Sequence, residues 1–304
     1  MSSFNHGISD KFTTKLALLA ESAGWWRDVL HDPSLIIAVR ENYLNVYWLG
    51  QAIFIVRMQE DKISVRTHAK YLLNPNLDDQ IPLIDGKFDF TQANDEMLTS
   101  DYKSGETLVK LKRAAEYYSG KEKEGVHRIV SFNPSIVDVE IAVSANGLPG
   151  VGKLPRIDIA AFEDGNDGIN LALWEAKRFT NKELTNGKIK GQLEKYMVVV
   201  AKYRDDLERS YRRVAKNLVA IAEMSNGKRT LAPVIARVAQ GDDPLIVSQA
   251  NIGLLVFGFD ATQKAAKDKE ERTVRDKMEV MLKDLGLDKK RRLRFLGKAD
   301  GIRL

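Results

Sequence analysis

Leu171-Ala172-Leu173-Trp174-Glu175-Ala176-Lys177 sets a carboxylate and an ammonium two residues apart at the end of an apolar run. Strand alternation places Leu171, Leu173, Glu175 and Lys177 on one face and Ala172, Trp174 and Ala176 on the other, so both faces are apolar until Glu175. A strand of that kind is covered on both sides, where an unpaired carboxylate is costly. Arg156-Ile157-Asp158-Ile159-Ala160 poses the same problem at Asp158. Between the two lies Glu163-Asp164-Gly165-Asn166-Asp167-Gly168, a turn sequence; pairing the strands through it brings Asp158 toward Glu175. Two close carboxylates repel, and they take up a proton or a divalent cation. With Lys177 on the same side, the set can hold a hard cation such as Mg²⁺ and position a water beside it.

The elements that must position these residues follow from the pattern of the chain. Residues 10–31 read as a helix through Phe12, Leu16, Leu19 and Ala23. Residues 35–39, 43–49, 52–58 and 63–67 are rich in Val, Ile, Tyr and Trp and are separated by short polar turns, which predicts a β-meander. Residues 74–100 carry Asn74-Pro75, Pro82 and Asp85-Gly86 and read as a connection, so a domain boundary is placed there. Beyond it, 104–118 reads as a helix, 119–125 as a charged loop or frayed helix end, and 136–143 as a strand. Strands at 156–162 and 169–177, one or two helices over 187–224, a strand at 252–259 and an exposed helix at 262–285 complete the pattern. The expected architecture is α/β: an N-terminal helix and antiparallel meander over 1–100, then a mixed sheet flanked by helices in 101–304, with a basic C-terminal helix and tail.

Composition narrows the chemistry further. The chain has 304 residues, 44% of them hydrophobic and 29% charged, enough for a packed core. It has no cysteine and only four histidines, none in a close pair, which excludes thiolate chemistry and leaves carboxylates as the metal ligands to consider. No apolar run approaches a membrane span and the opening segment does not resemble a secretory signal, so a soluble, cytoplasmic protein is expected, without membrane contact. The net charge of +5 conceals a gradient. Residues 1–98 hold nine basic against thirteen acidic side chains, whereas 187–217 hold nine against four and 261–304 fourteen against eight. A polyanion such as DNA would meet the C-terminal part. The acidic meander is no broad DNA clamp; it suits a partner protein, a DNA feature or a second copy in a homodimer.

The spelling acid-x-Lys occurs five times, at Glu60/Lys62, Asp85/Lys87, Asp101/Lys103, Glu175/Lys177 and Asp288/Lys290. Only Glu175 ends an apolar run, with a strand-borne Asp upstream, a polar turn between and a helix after. In that arrangement the segment resembles the PD-(D/E)XK nuclease superfamily over about 103–260, and the resemblance implies a restriction-endonuclease-like fold. It further implies that Asp158, Glu175 and the carbonyl of Ala176 bind Mg²⁺ or Mn²⁺ while Lys177 orients the attacking water on a DNA phosphodiester. Gln192, on the helix that follows, would contact the scissile phosphate or a water. Glu140 on the preceding strand is the choice for an additional upstream acid, with Glu116 and Glu124 as competitors. Tyr196, four residues after Gln192, is expected in the core. The other reading is a non-catalytic DNA-binding or assembly module that keeps an ion-paired remnant of the site. Gly147-Leu148-Pro149-Gly150-Val151-Gly152-Lys153 also spells a phosphate loop, but Leu154 replaces the needed hydroxyl and Pro155 the helix, so a nucleotide site is not expected.

Overall fold

Residues 4–72, 101–143 and 154–304 are described by the computed structural model, together with the backbone of two short strands, Leu83–Ile84 and Lys87–Phe88. The rest of the stretch expected as a connection, and the glycine-rich 147–153, lie outside the described residues.

The four β-branched and aromatic segments form β1 (Ile36–Val39), β2 (Tyr43–Trp48), β3 (Gln51–Gln59) and β4 (Lys62–Arg66), an antiparallel sheet in sequence order. The β3–β4 turn has positive φ at both Glu60 (46°) and Asp61 (66°), the two-residue hairpin whose twist matches its strands. This also disposes of Glu60/Lys62 as a site: the acid is a turn residue. Ahead of the sheet, the single helix expected over 10–31 is two, α1 (Asp10–Ala20) and α2 (Trp25–His31). Glu21, Ser22 and Ala23 are exposed, so nothing buries the joint, and Gly24 stands as the residue before α2.

The strands Leu83–Ile84 and Lys87–Phe88 are β5 and β6. After α3 (Thr107–Tyr117), the charged segment expected as a loop or frayed helix end opens a helix of its own, α4 (Lys121–Ser131). Gly125 lies on the buried face of this helix. A Cβ there would lie 2.0 Å from the Phe257 ring, so this glycine lets α4 sit directly on the sheet. The second sheet has five strands in the order β11-β10-β9-β8-β7: β7 (Ile136–Ile141), β8 (Ile157–Asp164), β9 (Ile169–Arg178), β10 (Leu245–Phe257) and β11 (Leu293–Phe295). β7 and β8 run antiparallel to their neighbours, whereas β9, β10 and β11 are mutually parallel. The sheet is therefore mixed, and it extends past the 103–260 span into the C-terminal tail.

The crossover from β9 to β10 runs through α5 (Lys188–Met224), kinked at Tyr203, as expected over 187–224, and through α6 (Pro233–Gln240), where no element was expected. The strand expected at 252–259 is the second half of β10, whose register shifts between Val247 and Ile252. The helix expected over 262–285 is likewise two, α7 (Ala261–Ala265) and α8 (Val274–Asp284), each opened by its own capping box, Asp260 with Gln263 and Thr273 with Asp276. α9 (Lys289–Arg292) leads into β11.

β9 is covered on both sides, as its composition requires. Leu171 and Leu173 join a large cluster with Leu193, Tyr196, Val199 and Val200 of α5. Ala172, Trp174 and Ala176 join a second cluster with Ile129 of α4, Leu255, Phe257 and Ile302. Gly253 on β10 makes room for the indole, since a Cβ there would lie 2.3 Å from the Trp174 ring. The meander belongs to the same large cluster through Leu35, Val39, Leu44, Val46 and Val56. No described helix is long and apolar enough to cross a membrane.

Candidate metal centre

The β8–β9 ladder ends at the pair Ile159↔Trp174, and one step further Asp158 faces Glu175. On the other side of β8, Val139↔Ile159 and Ile141↔Ile157 put Glu140 opposite Asp158. Three carboxylates thus stand in one row across three adjacent strands. Alternation breaks at this row: Glu140 takes φ 51°, Val139 and Ile159 join the smaller clusters, and Ile141 and Ile157 the large one. Val139 therefore leaves the cluster that Val137 and Ile141 share.

Asp158 and Glu175 are brought together with Lys177, as the strand pairing predicts. The backbone N–H of Ala176 donates to Asp158 Oδ2 at 2.8 Å. Lys177 Nζ lies 2.7 Å from Glu175 Oε1 and 3.1 Å from Glu183 Oε2. Glu175 and Lys177 are buried, Asp158 half-buried. Burial and the neighbouring Glu175 charge push the Asp158 carboxyl well above the ordinary carboxylate range. Burial also raises Glu175, held back by Lys177 and Tyr196. Burial alone would lower Lys177, but Glu175 and Asp158 hold its proton more tightly than in water.

Glu140 is in the row but not in the cluster: its carboxylate is drawn to Lys123 (3.7 Å) and Arg156 (3.4 Å). Its charge still raises Asp158. The competitors lie elsewhere, Glu116 accepting from Trp48 Nε1 (3.3 Å) and Glu124 from Ser119 Oγ (3.0 Å). Gln192 sits half-buried on α5, one turn before Tyr196, and its Oε1 is buried without a partner. Tyr196 is in the core as expected, yet its hydroxyl lies against Glu175 Oε2 and donates to the Arg156 carbonyl at 2.7 Å. The one phenol proton is shared between these two acceptors. Sequence reasoning missed the link from Tyr196 to Glu175 and the role of Glu183. The 3₁₀ turn Lys182–Leu184 presents Glu183, with Asn181 Oδ1 accepting from its backbone N–H at 3.0 Å; no spacing rule marks such a residue.

The tail expected to hold phosphates is partly turned inward. Arg292 is buried against Glu163 (3.2 Å) and Asn251 (3.2 Å), and Arg294 donates to the carbonyls of Arg291 (2.8 Å) and Arg303 (3.1 Å). Lys290 and Arg291 remain exposed.

Among the described residues no three acidic or histidine side chains form a ready metal cage. The donor set is two carboxylates, Asp158 and Glu175, with the Ala176 carbonyl next to Glu175 in the chain. That set fits Mg²⁺, which keeps several waters and is bound through one or two carboxylates plus substrate phosphate; it does not fit an ion needing an all-protein shell. The raised affinity of both carboxyls for protons points the same way, since a cation relieves the same repulsion.

No known protein family, curated protein or solved structure matches this chain.

Proposed function

We propose that the chain is a DNA-cleaving hydrolase with a restriction-endonuclease-like catalytic unit, acting with Mg²⁺ or Mn²⁺. The observation that carries this reading is the meeting of Asp158, Glu175 and Lys177 on one end of two paired strands, with two carboxyls that repel each other there. Asp158, Glu175 and the carbonyl of Ala176 would hold the cation, which supplies positive charge to the phosphoryl oxygens. Lys177 places a second positive charge beside them and orients the attacking water. Glu183 keeps the ammonium in position when Glu175 turns to the cation. Tyr196 fixes the Glu175 carboxylate, and Gln192 Oε1, which has no partner of its own, accepts a hydrogen bond from a water in the site. Exposed Lys and Arg of α5 and of the tail steer the backbone of the DNA.

One observation favours a second reading, a non-catalytic DNA-binding or assembly module. Glu175 is engaged by Lys177 and Tyr196, and Glu140 by Lys123 and Arg156, so the row is also a satisfied ion-pair network. Incubation with supercoiled plasmid and with single-stranded DNA at low salt separates the two. Nicking that requires Mg²⁺ or Mn²⁺ and stops in EDTA is expected; binding without cutting under every condition supports the module instead.

Tyr196→Phe tests the supporting shell. It removes the hydroxyl on Glu175 without emptying the core, and is expected to lower the cleavage rate about tenfold and to raise the Mg²⁺ concentration at half-maximal rate. A metal titration unchanged from the parent chain would show that the hydroxyl is only a packing feature.

A further inference from the structure

Between β2 and the start of β8 lies a cleft of about 270 Å³ whose walls include Arg40, Tyr43, Asn45, Tyr47, Glu140 and Arg156. One wall holds the Glu140–Arg156 pair, and Glu140 stands opposite Asp158 in the strand register. Glu140 thus stands between the cleft and the candidate metal centre on the neighbouring strand, and the other wall is the meander, the part of the chain to which the hydrolase reading gives no task.

The charges along it are largely answered. Arg40 is bound to Asp138, and Arg156 to Glu140. Of the other lining groups, His6 lies against Asp138 and the Asn5 amide donates to Glu41, which leaves the Phe4, Tyr43 and Tyr47 rings and the Asn45 amide. Arg57 sits over the Tyr43 ring at 4.4 Å and steadies it. Asn45 donates one amide hydrogen to Tyr47 Oη at 3.0 Å, while its Oδ1 is buried without a partner. A second amide hydrogen and that oxygen form an adjacent donor and acceptor. A surface of this kind receives a flat heteroaromatic ring rather than a phosphate chain. Its volume lies below the ~300–1,000 Å³ of sites that enclose drug-sized ligands, so it admits one ring system.

We propose that this cleft takes a nucleobase of the DNA strand beside the cleaved bond, with Asn45 reading its edge and Tyr43 stacking on it, and that adenine is preferred. Adenine presents the donor and acceptor pair that a side-chain amide takes, and a purine offers the larger stacking face. The proposal rests on the hydrolase reading and extends it to the N-terminal sheet.

The test is fluorescence anisotropy of the full chain in EDTA with three labelled homopolymeric strands, dA, dC and dT. The dA strand is expected to bind about fivefold tighter than dT. Asn45→Ala brings that ratio to about one. Asn45→Asp, which keeps the shape but offers only acceptors, moves the preference toward dC, whose amino group an acidic side chain accepts. A misfolded fraction weakens all three strands alike and leaves the ratios untouched. Equal binding of the three strands by the parent chain, unchanged ratios in both variants, or plasmid cutting without strand binding overturns the proposal and leaves the hydrolase reading standing. A parent chain that neither binds a strand nor cuts plasmid in Mg²⁺ overturns both.

Discussion

Asp158→Asn protein is expected to be inert toward DNA and, at neutral pH, more resistant to heat than the parent chain. The first half follows from losing one of two carboxylates that would hold the cation, with a fall in the cleavage rate of roughly 10³-fold or more. The second half follows from the pKa directions. A carboxyl whose folded-state pKa is raised adds stability that is fully present below its unfolded value, about 4, and loses it as the pH rises through the folded value. At pH 7 to 8 the folded parent is therefore destabilised, because it either carries repelling, desolvated carboxylates or holds a proton that the unfolded chain gives up. The neutral amide in the variant has no charge to repel Glu175, and the relief appears as a higher melting temperature, about 2–4 °C for each kcal/mol released. The gap closes as the pH is lowered toward 4, where the parent carboxyls are protonated as well. Mg²⁺ should raise the melting temperature of the parent, because a ligand bound only by the folded state stabilises it, and should leave the variant unmoved. Calorimetric scans across pH 4 to 8, with Mg²⁺ and with EDTA, check each part. A variant less stable than the parent at pH 8 would mean that Asp158 is held by structural partners, and the metal-centre reading would fail with it.

The candidate site was legible because burial contradicts charge in a way that a single strand displays. Glu175 at the end of a run apolar on both faces announces a buried carboxylate, and the turn at 163–168 supplies the partner strand. The four-stranded meander was legible for the same reason, since period-two patterning and short turns fix neighbours that are adjacent in sequence. What the sequence hid depends on contacts far apart along it. The charged segment 119–125 leaves loop and helix end open, and that the missing Cβ of Gly125 admits the Phe257 ring appears only in the packing of α4 on β10. Glu140 lies in the row with Asp158 and Glu175, but Lys123 and Arg156 take its carboxylate aside, and neither cation is near it in a predictable register. The tail reads as an exposed basic cluster, while Arg292 is buried on Glu163, 129 positions away.

Asp138 was hidden in the same way, and removing its cationic partner is expected to have the largest effect on stability. It shares β7 with Glu140 and is among the most buried charges in the chain, at 1% exposure. Burial alone would raise its pKa as it does for Asp158, but Arg40 and His6 reverse the sign and hold it below the ordinary range. Arg40 reaches from the end of β1 to the Asp138 carboxylate and to the Val139 carbonyl, His6 Nδ1 lies 3.1 Å from Asp138 Oδ2, and Tyr211 of α5 donates at 3.3 Å. One carboxylate thereby ties the N-terminal segment, the meander, the mixed sheet and the long helix together. Arg40→Ala leaves that charge buried without its cation, a loss of about 3–5 kcal/mol. Arg40→Met combined with Asp138→Leu, which removes both charges and fills the space, should recover most of it. Because the folded pKa of Asp138 is depressed, its contribution is present above the unfolded value, about 3.9, and is lost as the pH falls through the folded value, so the Arg40→Ala deficit measured by urea unfolding at pH 7 should shrink below pH 4. A deficit under about 1 kcal/mol at pH 7 would show the network to be incidental to stability. Asp138 and Asp158 lie on adjacent strands with opposite pKa directions: the carboxylate whose partners are cations ties the fold together, and the one facing a second carboxylate is, on the proposed reading, the one that would take up the cation.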